Sequence, residues 1–328
     1  MSRLSLALEA GIVTLPDEGA ILVINPTADA DLSALPKDRV TVVQGFYPDN
    51  QAWTSRGFHT VAEMQGTPAA AAVLFLPRSK AQARANLAAA TQTGAAVIVD
   101  GAKTNGIDSF YKAARKRAET TGAYSKAHGK VFQISPTTAF ADWALPPLKS
   151  NPSGWTTAPG VFSADGPDPA SVALADSLPP LKGRVADLGA GWGYLAQRVL
   201  EKSEKITSLD AIEAEHAAIL AFAENVNDPR VAIHWADAKT WMGEGYDHIV
   251  CNPPFHASGN ADPALGRQFI DAASRLLRSS GTFWLVANRH LPYESALTTQ
   301  FSDVTEIDGS PAFKLFCVRK PKRVPRRS

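Results

Sequence analysis

The chain has 328 residues, 45% of them hydrophobic, with 33 Lys or Arg against 32 Asp or Glu, which gives a formal net charge of +1. Length and composition are typical of a globular protein with room for two domains, and they exclude a disordered polyelectrolyte. Because acidic and basic residues nearly cancel, attraction to nucleic acid must come from local clusters of charge.

The sequence also bears on compartment and metal content. The N-terminal stretch is interrupted by Glu9 and lacks a small-residue cleavage pattern, and no apolar run reaches membrane-spanning length. Cys251 and Cys317 are far apart and lack the spacing of metal ligands, which argues against a disulfide framework or a zinc site. We therefore expect a cytoplasmic protein with no metal and no membrane contact.

In the first half, short apolar runs alternate with helical patterns, which predicts α/β architecture with parallel strands. The predicted strands are "AILVI", "VTVVQ", "AAVLFL" and "AAVIV", and the predicted helices are "SKAQARANLAAATQ" and "GIDSFYKAARKRAE". No glycine-rich phosphate or cofactor loop joins any of these strands to a helix.

The amino-acid composition changes between Ala144 and Pro180, where "LPPLKSNPSGW" and "SADGPDPAS" are rich in proline, glycine and serine, as linkers are. We place a domain boundary near residue 150, which gives domains of residues 1–150 and 151–328. The second half then restarts the alternation, so the two halves are candidates for diverged copies of one fold.

A glycine-rich turn opens the second domain. The run "DLGAGWG", Asp187 to Gly193, follows a predicted strand and begins a helix, and its glycines allow a tight turn and close approach of a ligand. The spacing is G-x-G-x-G, whereas a dinucleotide fingerprint is G-x-G-x-x-G. The departure favours S-adenosylmethionine over a nicotinamide cofactor.

Acidic residues follow at the ends of the next two strands. A carboxylate after the second strand suits ribose hydroxyls; Asp210 and Glu213 are both candidates, and the position of the next helix favours Glu213. After the third strand, Asp237 offers an acceptor for an adenine amino group. Each feature alone is also typical of a plain turn or helix cap, but three in order on successive strand–helix units favour a cofactor site.

The fourth strand of this alternation ends in the rigid corner "NPPF", where ligands of open α/β sheets bind. The side-chain oxygen of Asn252 and the carbonyl of Pro253 would each accept a hydrogen from an exocyclic amine and aim its lone pair at an activated methyl group. Pro254 stiffens the corner, and Phe255 would stack on the target base. This chemistry depends on orientation more than on a strong base.

The motifs together resemble a known family. "PGVFSADGPDPAS", "DLGAGWG", "CNPPFH", "VANRHLPY" and "FKLF" occur in the order found in class I S-adenosylmethionine-dependent methyltransferases, and in detail the chain resembles bacterial 16S rRNA guanine-N2 methyltransferases of the RsmC type. The resemblance implies a C-terminal Rossmann-like catalytic domain with a mostly parallel seven-stranded sheet. It also implies a degenerate N-terminal methyltransferase-like domain that helps to hold ribosomal RNA.

Carried onto this sequence, the resemblance implies two sets of site residues. The catalytic corner is Asn252, Pro253, Pro254 and Phe255. The cofactor-binding set is Asp187, Gly189, Ala190, Gly191, Glu213 or Asp210, Asp237, Ala238 and Asn252. Two candidate acids in "SLDAIEAE", where many relatives have one, leave the choice between Asp210 and Glu213 open.

RNA binding requires a basic surface, because phosphate contacts supply most sequence-independent affinity. The stretches "PRSKAQAR", "YKAARKRAE" and "SKAHGK" and the tail "RKPKRVPRRS" are candidates, although lysine-rich helix faces are often only solvated. We expect ribosomal RNA or the small ribosomal subunit as the partner of a monomeric enzyme.

The prediction is transfer of a methyl group to the N2 amine of a guanine in 16S rRNA. Residue chemistry alone stops at an amine conjugated to a π system, so 23S rRNA guanine-N2, adenine-N6 and protein glutamine amides remain alternatives. A non-catalytic ribosome assembly factor with a relic cofactor pocket is a further alternative. A nicotinamide dehydrogenase is disfavoured by the spacing of the glycine loop.

Overall fold

The structure, a computed structural model, describes residues 1–64, 66, 69–243, 245–254, 256–257, 260–261 and 263–322. The chain divides into two compact units, Met1–Pro147 and Leu148–Ser328. Each unit contains a seven-stranded sheet among the residues described.

The sheet of the first unit has five parallel strands followed by two antiparallel strands at one edge. Its strands are β1 (Ile21–Ile24), β2 (Val40–Val43), β3 (His59–Val61), β4 (Ala71–Phe75), β5 (Ala96–Ala102), β6 (Tyr124–Lys126) and β7 (Gly129–Ile134). Its helices are α1 (Arg3–Glu9), α2 (Tyr47–Ser55), α3 (Lys80–Gln92) and α4 (Ile107–Arg115).

The second unit repeats this plan with longer strands. Its strands are β8 (Lys149–Ser150), β9 (Thr156–Thr157), β10 (Lys182–Leu188), β11 (Lys205–Glu213), β12 (Val231–Trp235), β13 (Tyr246–Cys251), β14 (His256–Ala257), β15 (Asn260–Ala261), β16 (Leu277–Asn288), β17 (Phe301–Gly309) and β18 (Phe313–Pro321). Its helices are α5 (Pro169–Ser177), α6 (Tyr194–Lys202), α7 (His216–Asn225), α8 (Pro263–Leu276) and α9 (Glu294–Gln300).

The two large sheets have the same topology. The strand order is β3-β2-β1-β4-β5-β7-β6 in the first unit and β12-β11-β10-β13-β16-β18-β17 in the second. In both sheets the strand order reverses between two neighbouring central strands, β1 and β4 in the first unit and β10 and β13 in the second. Such a switch point opens a crevice at the carboxyl ends of the strands, where α/β proteins bind ligands.

The parallel strands form because their sequences are nearly continuous apolar runs, which suit a sheet covered by helices on both faces. Every residue of β1 is buried, and four of the five residues of β4 are buried. In the second unit, one core packs Leu188 and Phe283 on one face of the sheet, and another packs Val185 and Leu209 on the other. The predicted α/β class with a mostly parallel seven-stranded sheet is confirmed.

The sequence prediction missed the antiparallel edge of the first sheet. The stretch "SKAHGK" was assigned only to a basic cluster, but it closes the hairpin between β6 and β7. Ala127 and His128 form the turn with φ of 46° and 53°. A two-residue turn with both φ positive is normally marked by Asn or Gly, and this sequence lacks that signal.

The described residues contain neither a membrane-spanning helix nor a cluster of metal ligands. None of their helices has both the length and the apolar character that crossing a bilayer requires. Within the same residues, no group of three or more His, Cys, Asp or Glu side chains is arranged to hold a metal ion.

Candidate cofactor and substrate site

The glycine-rich turn lies between the end of β10 and the start of α6. Its first two amides, from Gly189 and Ala190, both donate to the carbonyl of Ile212 in β11, at 2.9 and 3.1 Å. Gly189, Gly191 and Gly193 have φ of +77°, +56° and +96°, which L residues rarely adopt. The loop is therefore held against β11 by its backbone.

Asp187, the residue before the end of β10, is the most perturbed acid of the site. It is 1% exposed, and its Oδ2 atom has no hydrogen-bond partner. Burial and the nearby Glu213 raise the pKa of Asp187 to about 8, although the backbone N–H of Ala196 partly offsets this shift. A buried acid without a full set of partners is a candidate for contact with a positively charged ligand.

Glu213 is the last residue of β11 and lies against the glycine-rich turn. Its Oε2 accepts the backbone N–H of Gly191 at 2.8 Å, and its Oε1 accepts that of Glu215 at 2.7 Å. Burial raises the pKa of Glu213 against these bonds. Each carboxylate oxygen can accept a second hydrogen bond, so capacity remains for ribose hydroxyls.

Asp210, the alternative candidate, belongs to a different polar cluster. Its two oxygens bond His234 Nε2 at 2.8 Å and the hydroxyl of Tyr246 at 2.8 Å. Side chains alternate between the faces of a strand, so residues three apart point to opposite faces. The structure thus places Glu213, and not Asp210, beside the glycine-rich turn.

Asp237 and Ala238 follow β12, the next strand along the sheet. Asp237 Oδ1 accepts the backbone N–H of Lys239 at 3.0 Å, and its Oδ2 lies 3.4 Å from Lys239 Nζ. Ala238 is buried at 4% exposure. The carboxylate of Asp237 is thus fixed by its own loop.

The "NPPF" corner follows β13, beside β10 in the sheet. The side-chain Nδ2 of Asn252 donates to Asp168 Oδ2 at 2.9 Å and to Ser171 Oγ at 2.9 Å. Pro253 is buried and Pro254 is exposed. Phe255, predicted to stack on the base, lies outside the described residues.

One cavity joins the glycine-rich turn to this corner. The empty space within it, including the open solvent at its mouth, is about 420 Å³. The predicted residues among its walls are Asp187, Gly189, Ala190, Gly191 and Asn252. The walls do not include the other predicted residues, Glu213, Asp210, Asp237 and Ala238. Glu213 nevertheless accepts a hydrogen bond from Gly191, which is one of the walls.

Tyr194 and Leu195, at the start of α6, line the cavity and were not predicted from the sequence. Four further walls that were not predicted are Phe162, Ser163, Asp168 and Ser171. All lie in "PGVFSADGPDPAS", which marked the family resemblance but carried no assigned role. Phe162 is 58% exposed, and its carbonyl accepts the indole N–H of Trp192 at 3.0 Å. The available signal was a large apolar residue in a Gly- and Pro-rich segment.

The residues of the cavity fit an S-adenosylmethionine molecule. The carboxyl of Asp187 has a buried oxygen without a partner, and a cationic ligand beside it would favour the charged form of this acid. A Cβ built on Gly191 would meet no atom within 4 Å, so the backbone there is open to a ligand. The Asn252 amide, fixed through its nitrogen, brings a polar acceptor to the same cavity.

In the first unit, the segments that follow β1 and β4 differ from those that follow β10 and β13 in the second unit. After β1, the carbonyl of Pro26 accepts the Gln44 amide at 2.8 Å and the Trp53 indole at 3.2 Å. After β4, Leu76 stands where Asn252 follows β13. In this unit, therefore, no glycine-rich turn follows β1 and no amide side chain directly follows β4.

Several basic residues of the first unit are used within the fold. Arg117 makes two hydrogen bonds to Asp142, at 2.6 and 2.9 Å, and Lys130 pairs with Asp108 at 2.6 Å. Other predicted RNA contacts are exposed, among them Arg78, Lys80, Lys112, Lys116 and Lys126. Of the basic tail, residues 323–328 lie outside the described part of the chain.

Known proteins resemble this chain in sequence and fold. Residues 154–317 match the family model described as "Methyltransferase small domain". Two relatives are each named ribosomal RNA small subunit methyltransferase C. The protein from Psychromonas ingrahamii is 31% identical to this chain, and the match covers 76% of this chain and 75% of the relative. The protein from Hahella chejuensis is 28% identical, and the match covers 91% of this chain and 93% of the relative.

A solved structure shares the fold over most of the chain. It is the T. thermophilus 16S rRNA N2 methyltransferase RsmC in complex with AdoMet and guanosine, with a TM-score of 0.76 and 22% identity over 94% of this chain and 90% of that one. This likeness shows the shared fold. The sequence matches identify the present chain as a member of the methyltransferase small domain family and, within it, of the ribosomal RNA small subunit methyltransferase C family.

Proposed function

We propose that this protein transfers a methyl group from S-adenosylmethionine to the exocyclic N2 amine of a guanine in 16S ribosomal RNA. The curated relatives carry the name of a small-subunit ribosomal RNA methyltransferase, and the T. thermophilus neighbour is described with AdoMet and guanosine. The carrying observation is that the glycine-rich turn and the amide of Asn252 line one cavity.

S-adenosylmethionine, when bound, supplies a methyl carbon made electrophilic by the adjacent positive sulfur. The buried Oδ2 atom of Asp187 has no partner within the protein, and the positive charge of the cofactor would lower the raised pKa of this acid and favour its charged form. Glu213 fixes the Gly191 amide and keeps lone pairs for ribose hydroxyls. Asp237, with Ala238 beside it, would accept a hydrogen from the adenine amino group.

The exocyclic amine of a guanine is a weak nucleophile, since its lone pair is delocalised into the ring. Acceptance of its two hydrogens by Asn252 Oδ1 and the Pro253 carbonyl would hold the amine in one orientation. Phe255 would stack on the base, an interaction worth about 1–3 kcal/mol. The new carbon–nitrogen bond would form as the carbon–sulfur bond breaks, and the positively charged methylated amine would then lose one proton to solvent. Orientation and electrostatics supply the acceleration without a strong base.

The first unit would hold RNA and have no methyl-transfer site of its own. The side chains of Gln44 and Trp53 that bond the Pro26 carbonyl after β1, and the leucine at position 76 after β4, support this division of labour. Its exposed lysines and arginines provide phosphate contacts. We further propose that the protein acts on rRNA or the small subunit as a cytoplasmic monomer.

The test offers the purified protein three substrates with cofactor labelled in the methyl group. These are 16S rRNA within small subunits from cells that lack the protein, a DNA duplex, and a release-factor protein. Digestion to nucleosides or amino acids should give label in N2-methylguanosine only. Label in N6-methyladenosine or methylglutamine would contradict the substrate assignment. Cofactor binding without transfer to any substrate would indicate an assembly factor.

A further inference from the structure

Both hydrogens of the Asn252 side-chain amide are committed to two residues of the "PGVFSADGPDPAS" segment. Nδ2 lies 2.9 Å from Asp168 Oδ2 and 2.9 Å from Ser171 Oγ. A primary amide has two N–H donors on its nitrogen and one acceptor oxygen. With both donors used, the oxygen is the remaining polar atom of this side chain.

The partner chemistry fixes which end of the amide faces Asp168. A carboxylate only accepts hydrogen bonds, so the atom 2.9 Å from Asp168 Oδ2 must be the amide nitrogen. Rotation of the amide by half a turn would place its oxygen against the carboxylate oxygen and lose the bond to Asp168, whereas the Ser171 hydroxyl can donate to an oxygen as well as accept from a nitrogen. Asp168 therefore selects one of two orientations that have nearly the same shape.

Asp168 is itself held in place by the start of α5. It is the N-cap of that helix, and Oδ2, the atom that accepts from Asn252, also accepts the Ser171 backbone N–H at 3.0 Å. Pro169 follows at the first helical position, where its fixed φ suits the helix. Leu174 anchors α5 in the core. The helix end thus serves as a rigid support for the amide.

We propose that Asp168, assisted by Ser171, is a positioning residue that sets the orientation of the Asn252 amide and so presents its oxygen to the acceptor amine. The inference deepens the proposed function, on which its catalytic consequence rests. The orientation itself follows from contacts among residues of this chain. Asp168 and Asn252 are 84 positions apart in sequence, so the "NPPF" corner depends on a distant segment.

The variant Asp168→Ser separates positioning from helix capping. Serine is as good an N-cap as aspartate, so α5 keeps its cap, but its shorter side chain cannot also reach Asn252. We expect the single-turnover methyl-transfer rate to fall about 10- to 100-fold, as misplaced catalytic groups do, while cofactor affinity stays within about 3-fold. Asp168→Asn keeps an acceptor oxygen at this position and should restore much of the rate.

Asp228→Ser is the matched control. Asp228 Oδ1 also accepts a backbone N–H, that of Arg230, at 2.9 Å. Asp228 precedes β12 and so lies at the amino ends of the parallel strands, whereas the cavity lies at their carboxyl ends. The control should leave the transfer rate unchanged. A wild-type rate in Asp168→Ser would overturn the positioning role while leaving the proposed function intact.

A second readout does not depend on the substrate. In protein labelled with ¹⁵N-asparagine, the Asn252 side-chain amide resonance is identified by its loss in Asn252→Ala. It should shift in Asp168→Ser and stay in place in Asp228→Ser. If wild-type protein transfers no methyl group to rRNA, the proposed function fails, and the Asn252 amide resonance then tests the positioning role by itself. A shifted resonance in Asp168→Ser supports the role of Asp168, and an unchanged resonance overturns it.

Discussion

Gly191 donates its backbone N–H to Oε2 of Glu213 across 2.8 Å, which ties the middle of the glycine-rich turn to the end of β11. The same carboxylate accepts the N–H of Glu215 through its other oxygen. Glu213 therefore shapes the loop as well as offering lone pairs to a ligand. Its loss would affect the cofactor site in two ways.

We expect Glu213→Ala to weaken binding of S-adenosylhomocysteine at least about 10-fold, because loop support and ribose contacts are both removed. Asp210→Ala should leave this affinity nearly unchanged and lower the melting temperature, since Asp210 accepts from His234 and Tyr246. Titration calorimetry and thermal unfolding of both variants provide the check. Loss of binding in Asp210→Ala alone would reverse the assignment.

Asn252→Ala should abolish methyl transfer and leave cofactor affinity within a few fold. The side chain bonds Asp168 and Ser171 through its nitrogen, so its oxygen is assigned to the acceptor amine and not to the cofactor. Single-turnover transfer and calorimetric titration measure the two effects separately. A parallel loss of cofactor binding would show that the role given to Asn252 is wrong.

The stability of the protein should depend on the ionisation of Asp187. Its pKa is about 8 in the folded protein, against an ordinary value of 3.8. Between these values the folded state holds a proton that the unfolded chain has lost, so the free energy of unfolding falls as the pH rises through this window. Asp187→Asn removes this contribution.

Urea unfolding of wild type and Asp187→Asn at several pH values from about 5 to 8 measures the difference. The variant should lose less stability than the wild type as the pH rises. Glu213, whose pKa burial also raises, is present in both proteins and contributes to both curves. Identical pH dependence in the two proteins would contradict the raised pKa of Asp187.

Two glycines of the same loop should respond differently to alanine. A Cβ on Gly193 would lie 2.8 Å from Val226 and 3.0 Å from Phe222, whereas a Cβ on Gly191 would meet nothing within 4 Å. Both have positive φ, which costs alanine about 1–2 kcal/mol, and crowding adds about 1–3 kcal/mol at Gly193.

We therefore expect Gly193→Ala to lower the melting temperature several degrees more than Gly191→Ala, at about 2–4 °C per kcal/mol. Gly191→Ala should instead show its larger effect on cofactor affinity, because its Cβ would project into space open to a ligand. Equal melting temperatures for the two variants would show that the contacts at Val226 and Phe222 relax without cost.

The sequence by itself predicted the parallel sheets and the order of the site motifs along the second one. Apolar runs alternating with helical patterns predict parallel strands, and parallel strands bring their carboxyl ends to one edge. The glycine-rich turn after β10 and Asn252 after β13 were therefore expected at the same crevice, and both line its cavity. The choice of Glu213 also had a local signal, its place at the end of the strand.

The tertiary structure decided what depends on residues distant in the sequence. The hydrogen bond between Asn252 and Asp168 spans 84 positions, and no local pattern shows which cap in the linker reaches which amide. Desolvation of Asp187 arises from surrounding residues, so its raised pKa required their packing. Periodicity encodes which face of an element is buried, but contacts between side chains are fixed only when the elements pack together.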